Sequence, residues 1–270
     1  MQPTIANAPP VSMKAHALPF DADTFVLSYP KAGRTWLRAI VGKLLVDRYG
    51  FSERRMLDTQ ALTRLAGIPA IGFDHDGSAM RYHVRWQDMP TDRGVYAGKR
   101  VLLMNRDVRD NLVSAYLQAT RRNGEWGEPI SPFLRHDWYG VDKILAFHRI
   151  WSANRQVPAQ FMHVRYEDLH RDTAGTLARV LPFLGLDADA GAIAAAIDYC
   201  RFDNLRQAEV EQRFRGSALV PGRVDDLESY KVRKGKVGNY TEYLSADDIA
   251  YIDEAVTARG CEFTRASLIH

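Results

Sequence analysis

One segment constrains this chain more than any other: Phe25-Val-Leu-Ser-Tyr-Pro-Lys-Ala-Gly-Arg-Thr-Trp-Leu-Arg-Ala-Ile40. Phe25-Val26-Leu27 is a short apolar run of the kind a buried strand shows. It breaks at Tyr29-Pro30, because proline has no backbone N–H for a ladder and disfavours helix in the residue before it. Lys31, Gly33 and Thr35 follow. Thr35 can cap or begin a helix over about Trp36–Tyr49, where Leu37, Ile40, Val41, Leu44 and Leu45 recur at helical spacing. Strand, tight loop with lysine and glycine, then helix: this order aims free backbone N–H groups and the positive end of a helix dipole at an anion. The expected ligand group is a phosphate.

The loop is not a Walker A loop, whose lysine follows a second glycine and precedes Ser or Thr. Here the lysine comes first and only one glycine is present. Tyr29-Pro-Lys-x-Gly-x-Thr-Trp36 instead resembles the 5′-phosphosulfate loop of PAPS-dependent sulfotransferases, in a bacterial-type member similar to the cytosolic ones (PAPS is 3′-phosphoadenosine 5′-phosphosulfate). The resemblance implies that Lys31 meets the bridge between phosphate and sulfate and that Trp36 packs on the adenine. Ala32, Gly33, Arg34 and Thr35 would complete the loop around the 5′ end.

Composition agrees with an anionic ligand and little more. Lys and Arg number 36 against 33 Asp and Glu, a net +3, with a pI of about 8.8. That excess is too small, and basic runs too scarce, to argue for a nucleic-acid surface. Cys200 and Cys261, the only cysteines, cannot make a disulfide framework or a cysteine-rich zinc site, and no cluster calls for a metal. No basic region with a long apolar run opens the chain, and no later apolar run reaches membrane-spanning length. The expectation is a cytoplasmic protein without stable membrane insertion, monomer or homodimer. Residues 1–20, with Pro3, Pro9, Pro10 and Pro19, read as an arm, and 21–270 as one domain, since no linker or repeat divides it.

Five later places in the chain follow the same resemblance. Ala70–Gly77 reads as a strand ending at Asp74-His75, and strand C-termini form the ligand edge of a parallel sheet. Sulfotransferases carry their general base at the corresponding strand end, which implies His75. Many cytosolic members have Lys-Thr-His there, whereas this chain has Phe73-Asp74-His75 and lacks the auxiliary lysine. His83, in Arg81-Tyr-His-Val-Arg-Trp86, is the rival.

Arg100–Arg106 is an apolar strand leading into a helix from Asp107, and an arginine at a strand end can clamp a phosphate. Arg106-Asp-x-Arg-Asp-x-x-Val-Ser114 matches the family's 3′-phosphate segment, implying that Arg106 and Ser114 hold that group. Arg165-Tyr-Glu-Asp-Leu169 resembles the segment whose tyrosine, here Tyr166, approaches the adenine. By the same resemblance Phe202 stacks near the adenine. Val232-Arg-Lys-Gly-Lys-Val-Gly-Asn-Tyr240 is related to the family's Arg-Lys-Gly-x-x-Gly-Asp-Trp, so Arg233, Lys234 and Gly235 join the 3′-phosphate clamp. Its last pair departs from the pattern, with Asn239-Tyr240 in place of Asp-Trp.

Together these imply an α/β fold: one three-layer α/β/α domain, P-loop-NTPase-like, around a central mainly parallel sheet. The implied reaction is sulfuryl transfer from PAPS to a hydroxyl, less readily an amine, of a small-molecule or carbohydrate acceptor. The Gly-, Pro- and aromatic-rich stretch 121–140 reads as an acceptor loop, possible walls being Trp126, Phe133 and Trp138, and 209–240 as a flap over the cofactor. Two alternatives stay open, an ATP-dependent P-loop-type kinase and a non-catalytic adenosine-nucleotide-binding module.

Overall fold

In the computed structural model of the protein, residues 18–216, 219–233 and 235–269 are described. At its centre four parallel strands, β1 (Thr24–Ser28), β2 (Ile71–Asp74), β3 (Arg100–Asn105) and β4 (Gln160–Arg165), pair in the order β2-β1-β3-β4. Between β1 and β2 run α1 (Arg34–Tyr49) and α2 (Thr59–Leu65). Between β3 and β4 run α3 (Val108–Leu117), α4 (Ile130–Leu134) and α5 (Val141–Asn154). After β4 come α6 (Tyr166–Arg171), α7 (Thr173–Phe183), α8 (Ala190–Tyr199), α9 (Phe202–Val210) and, beyond a long irregular stretch, α10 (Ala246–Arg259).

Strands β1 and β3, at the middle of the sheet, read as nearly continuous apolar runs because both of their faces are covered. Alternation sorts the residues: Val26, Ile71, Leu102, Met104 and Val164 enter a core shared with α1, α7 and α8. Phe25, Leu27, Val101 and Leu103 enter the other, shared with α3, α5 and α10. The result is the three-layer α/β/α arrangement.

One local detail differs from the sequence reading. Helix α1 starts at Arg34, one residue before Thr35, and its N-cap is Gly33 at φ 81°, a left-handed backbone that glycine adopts without strain. Between α1 and β2 the chain makes a short turn at Glu53–Arg55 and then α2. The arm expected over residues 1–20 lies outside the described residues up to 17. Its described end is packed against the core: Phe20 stacks on Phe25 at 5.5 Å, in space that Gly72 leaves open. Helix α10 is capped by Ser245, whose Oγ accepts the Asp248 N–H at 3.1 Å.

From β1 the chain goes to β2 on one side and later to β3 on the other. The segments leaving the C-terminal ends of β1 and β3 therefore diverge and open a crevice, the usual ligand position in such sheets.

Candidate active site

A cleft of about 420 Å³ occupies that crevice. The loop after β1 contributes Lys31, Gly33, Arg34, Thr35 and Trp36, the end of β2 contributes His75, and the end of β3 contributes Arg106. Ser114 of α3, Tyr166 at the start of α6, Phe202 at the start of α9, and Arg233 and Gly235 from the long segment complete it. Residues up to 204 positions apart in sequence thus share one cavity, and their side chains are those that the sequence singled out. Ala32 is the exception, its side chain fully buried away from the cleft. Lys234 lies outside the described residues.

The cleft is strongly cationic. Lys31, Arg34, Arg106, Lys231 and Arg233 line it, with Arg201 and Lys236 toward the outside and no carboxylate among the described lining residues. Burial, reinforced by Lys231, Arg122, Arg233 and Arg106, holds the Lys31 ammonium well below its ordinary pKa, and its Nζ donates to Gln118 Oε1 at 2.9 Å. Burial likewise lowers Arg34, with Asp74 opposing the shift. Two buried donors, Arg34 Nη1 and Arg106 Nε, have no hydrogen-bond partner among the described residues. Desolvated like charges with spare donors are costly unless an anion lies among them. Lys31 itself has φ 75°, the left-handed region that residues with a Cβ occupy at a cost.

Beside the cations is an aromatic slot. Trp36 donates through Nε1 to the Cys200 carbonyl at 3.1 Å and meets Tyr166 edge-on, ring centroids 6.2 Å apart. The Arg106 guanidinium lies over the Tyr166 ring at 4.7 Å. Two glycines let the backbone come close here. A Cβ on Gly33 would fall 2.3 Å from Tyr166, and one on Gly235 2.5 Å from Phe202. Cys200 is buried and its thiol pushed up to about 12, so it acts as a packing group.

At the far end His75 Nδ1 lies 2.9 Å from the Ser28 carbonyl oxygen. A carbonyl only accepts, so Nδ1 carries the hydrogen and the lone pair belongs to Nε2. Burial, then the Arg34 charge, holds the imidazole well below its ordinary pKa, so it is neutral at pH 7. His83 is placed differently. It stacks on Trp138 at 4.9 Å and is not among the residues lining the cleft. Trp126, Phe133 and Trp138 pack with His136 and Tyr139 in an aromatic cluster that also lies outside the cleft lining, and Phe133 is fully buried.

Sequence reasoning did not single out Lys231 or Gln118, nor the two carboxylates that anchor the long segment. Glu209, at the end of α9, accepts the N–H of Lys231 at 2.7 Å and of Val232 at 2.9 Å, and meets Arg122 at 3.2 Å. Asp110 of α3 accepts the N–H of Gly238 at 2.8 Å and of Tyr240 at 3.1 Å, and pairs with Arg106 at 3.3 Å. Both carboxylates are buried. Asp110 falls inside the segment chosen for Arg106 and Ser114, and Glu209 is the first residue of the stretch read as a flap.

A family model for the sulfotransferase domain matches residues 21–260. Cytosolic sulfotransferase 17 of Arabidopsis thaliana is 24% identical over 262 residues, covering 86% of this chain and 72% of its own length. Flavonol 4′-sulfotransferase of Flaveria chlorifolia is 26% identical over 266 residues, covering 88% of this chain and 80% of its own. Among solved structures, retinol dehydratase in complex with androsterone and the inactive cofactor PAP superposes with a TM-score of 0.61 at 16% identity, covering 90% of this chain and 81% of that one. A mouse sulfotransferase complexed with PAP gives 0.59 at 18% identity, covering 88% and 83%. At these identities the structures share the fold.

Proposed function

This chain belongs to the sulfotransferase-domain family, and from that premise we propose that it moves a sulfuryl group in line from PAPS to a hydroxyl of a small-molecule or carbohydrate acceptor, with His75 as the base. The observation that carries the reading is the composition of the cleft: buried cations without a carboxylate, an aromatic slot beside them, and a neutral histidine at the far end. Solved structures with the same fold are complexed with PAP, the adenosine 3′,5′-bisphosphate that remains when PAPS has given up its sulfuryl group. Relatives named for flavonols support a small-molecule acceptor, and relatives named cytosolic support a cytoplasmic setting.

The residues present fit such a donor. Arg106 and Arg233 would hold the 3′-phosphate with the Ser114 hydroxyl, and the unpartnered Nε of Arg106 supplies a donor for it. Trp36, Tyr166 and Phe202 would bracket the adenine, with Gly33 and Gly235 leaving the room that a Cβ would fill. Lys31 and the start of α1 would receive the 5′ end, where helix N–H groups and the helix dipole favour an anion. PAPS supplies the sulfuryl group. His75 Nε2 takes the acceptor proton, and Lys31 stabilises charge growing on the departing phosphate oxygen. Catalysis of this kind is mainly positioning and electrostatics. Among the described residues there is no group of His, Cys, Asp and Glu able to hold a metal, and no helix is long and apolar enough to cross a membrane.

The test is thermal stability with adenosine 3′,5′-bisphosphate, 5′-AMP and ATP with magnesium, on the wild type, Lys31→Ala and Arg106→Ala. A ligand at about 100 times its Kd adds about 2.7 kcal/mol. Stabilisation by the bisphosphate, lost in Arg106→Ala, is the expected result. Stabilisation by ATP with magnesium alone would mean a kinase and overturn the reading.

A further inference from the structure

We propose that Lys231 is a second catalytic cation, contacting the sulfuryl group in transfer and brought to it by the segment after α9 instead of by a strand end. The inference rests on the sulfotransferase reading above and names a residue of that same site.

The strand end cannot supply this cation. Phe73 stands where many cytosolic members have lysine, and it is buried in the core under the Arg38 guanidinium, 5.8 Å from its ring. Lys231 lines the cleft together with Lys31 and His75, and also a small adjoining recess with Lys31, Gln118 and Arg122. Its charge acts on Lys31 and on His75. In an in-line transfer the sulfur travels between the bridging oxygen, near Lys31, and the acceptor oxygen, near His75. Lining the cleft with both of these groups, Lys231 stands beside that path.

The position is fixed by the backbone. The Lys231 N–H is held by Glu209 Oε1 and the Val232 N–H by Oε2, while Arg122 holds the Glu209 carboxylate from the other side. The charges facing the ammonium are Arg122, Arg34, Arg38 and Lys31, which disfavour it, and Glu209, which favours it. With burial as the largest cause, they bring Lys231 down to about 7. A bound polyanion restores its proton, so Lys231 is most fully charged when the donor is in place.

The balance of the step is simple. The bond from sulfur to the acceptor oxygen forms as the bond from sulfur to the 5′-phosphate oxygen breaks, and that oxygen keeps the electron pair. The acceptor proton goes to His75 Nε2. Lys231 gives up no proton and offsets charge on the non-bridging sulfuryl oxygens.

Calorimetric titration of the wild type, Lys231→Met and Lys231→Arg with PAPS and with adenosine 3′,5′-bisphosphate, from about pH 6 to pH 9, separates the possibilities, alongside turnover with 2-naphthol. Lys231→Met should weaken PAPS about tenfold or more while weakening the bisphosphate less than about threefold, because only PAPS carries the group that Lys231 touches. Turnover should fall roughly 100-fold. Wild-type affinity for PAPS should decline as pH rises through neutrality, and that decline should be shallower in Lys231→Met, where only Lys31 among the two lysines is left to titrate. Lys231→Arg, which keeps the charge, should retain PAPS affinity. Equal weakening of both nucleotides by Lys231→Met, or no weakening of either, overturns the proposal while leaving the sulfotransferase reading intact. A wild type that binds neither nucleotide overturns both.

Discussion

His75 Nδ1, just past the end of β2, donates to the carbonyl oxygen of Ser28, the last residue of β1, at 2.9 Å. The parallel register that pairs Leu27 with Asp74 brings the two strand ends level. A backbone carbonyl, which does not titrate, therefore sets the tautomer and the aim of the imidazole. Replacing His75 by Ala should lower turnover by about 10²–10⁴-fold, with adenosine 3′,5′-bisphosphate affinity little changed. His83→Ala should stay near the wild type. Steady-state kinetics on both variants, with calorimetric binding, decides the matter; the reverse pattern would make His83 the base.

The same histidine predicts a pH profile. Its pKa is held well below the ordinary value of 6.5, first by burial and then by Arg34. The basic form thus persists as pH falls, so kcat/KM should not begin to drop at about pH 6.5, where an unperturbed imidazole would gain its proton. A rate profile on the wild type measures this directly.

Gly235 has φ 62°, and a Cβ there would sit 2.5 Å from the Phe202 ring. Gly235→Ala should cost about 1–3 kcal/mol of stability through backbone strain and crowding. It should also weaken the bisphosphate, because Phe202 must shift within the slot. Denaturant unfolding and ligand titration read the two effects separately, and unchanged values of both would remove Gly235 from the site.

Two buried carboxylates pin the segment that carries Arg233. Asp110→Ala leaves the Gly238 and Tyr240 N–H groups without their acceptor and Arg106 without its carboxylate partner. The expected loss is about 1–3 kcal/mol, together with faster proteolysis between residues 231 and 240. Saturating bisphosphate should restore part of the protection. Limited proteolysis with and without ligand is the measurement.

His148 is fully buried in α5 and pushed down to about 4 by its burial. Its unfolded value, about 6.5, is higher, so as pH falls below about 6.5 the unfolded chain takes up the proton first. Stability should therefore decline between roughly pH 6.5 and pH 4, by up to about 3 kcal/mol from this one group. His148→Leu should flatten that acid limb in chemical denaturation, whatever it does to stability at pH 8.

The phosphate-facing half of this site was legible without any tertiary information, because its geometry is local. A strand, a proline break, Lys31, Gly33 and a helix start fall within a dozen residues, and their order along the chain is already their arrangement in space. Arg106 and Ser114 are eight residues apart across one strand end and the first turns of α3, and were readable for the same reason. Trp126, Phe133 and Trp138 were not: aromatic residues in a glycine-rich stretch suit a ligand wall and a satellite core alike. Packing against Tyr139 places them in the cluster they form.

What the sequence by itself determined is the family, the α/β layering and the identity of the side chains at each strand end. What only the tertiary structure decided is how those groups act on one another. The depressed pKa of Lys31 arises from burial and from four cations on three separate segments, brought together only by closure of the sheet and the long segment. The anchoring of that segment depends on which two acids are removed from water and which backbone N–H groups they then meet. Neither burial nor the distance between residues remote in sequence is encoded in spacing along the chain. Lys231, one lysine in a charge-dense stretch, gains its meaning only from where Glu209 holds it.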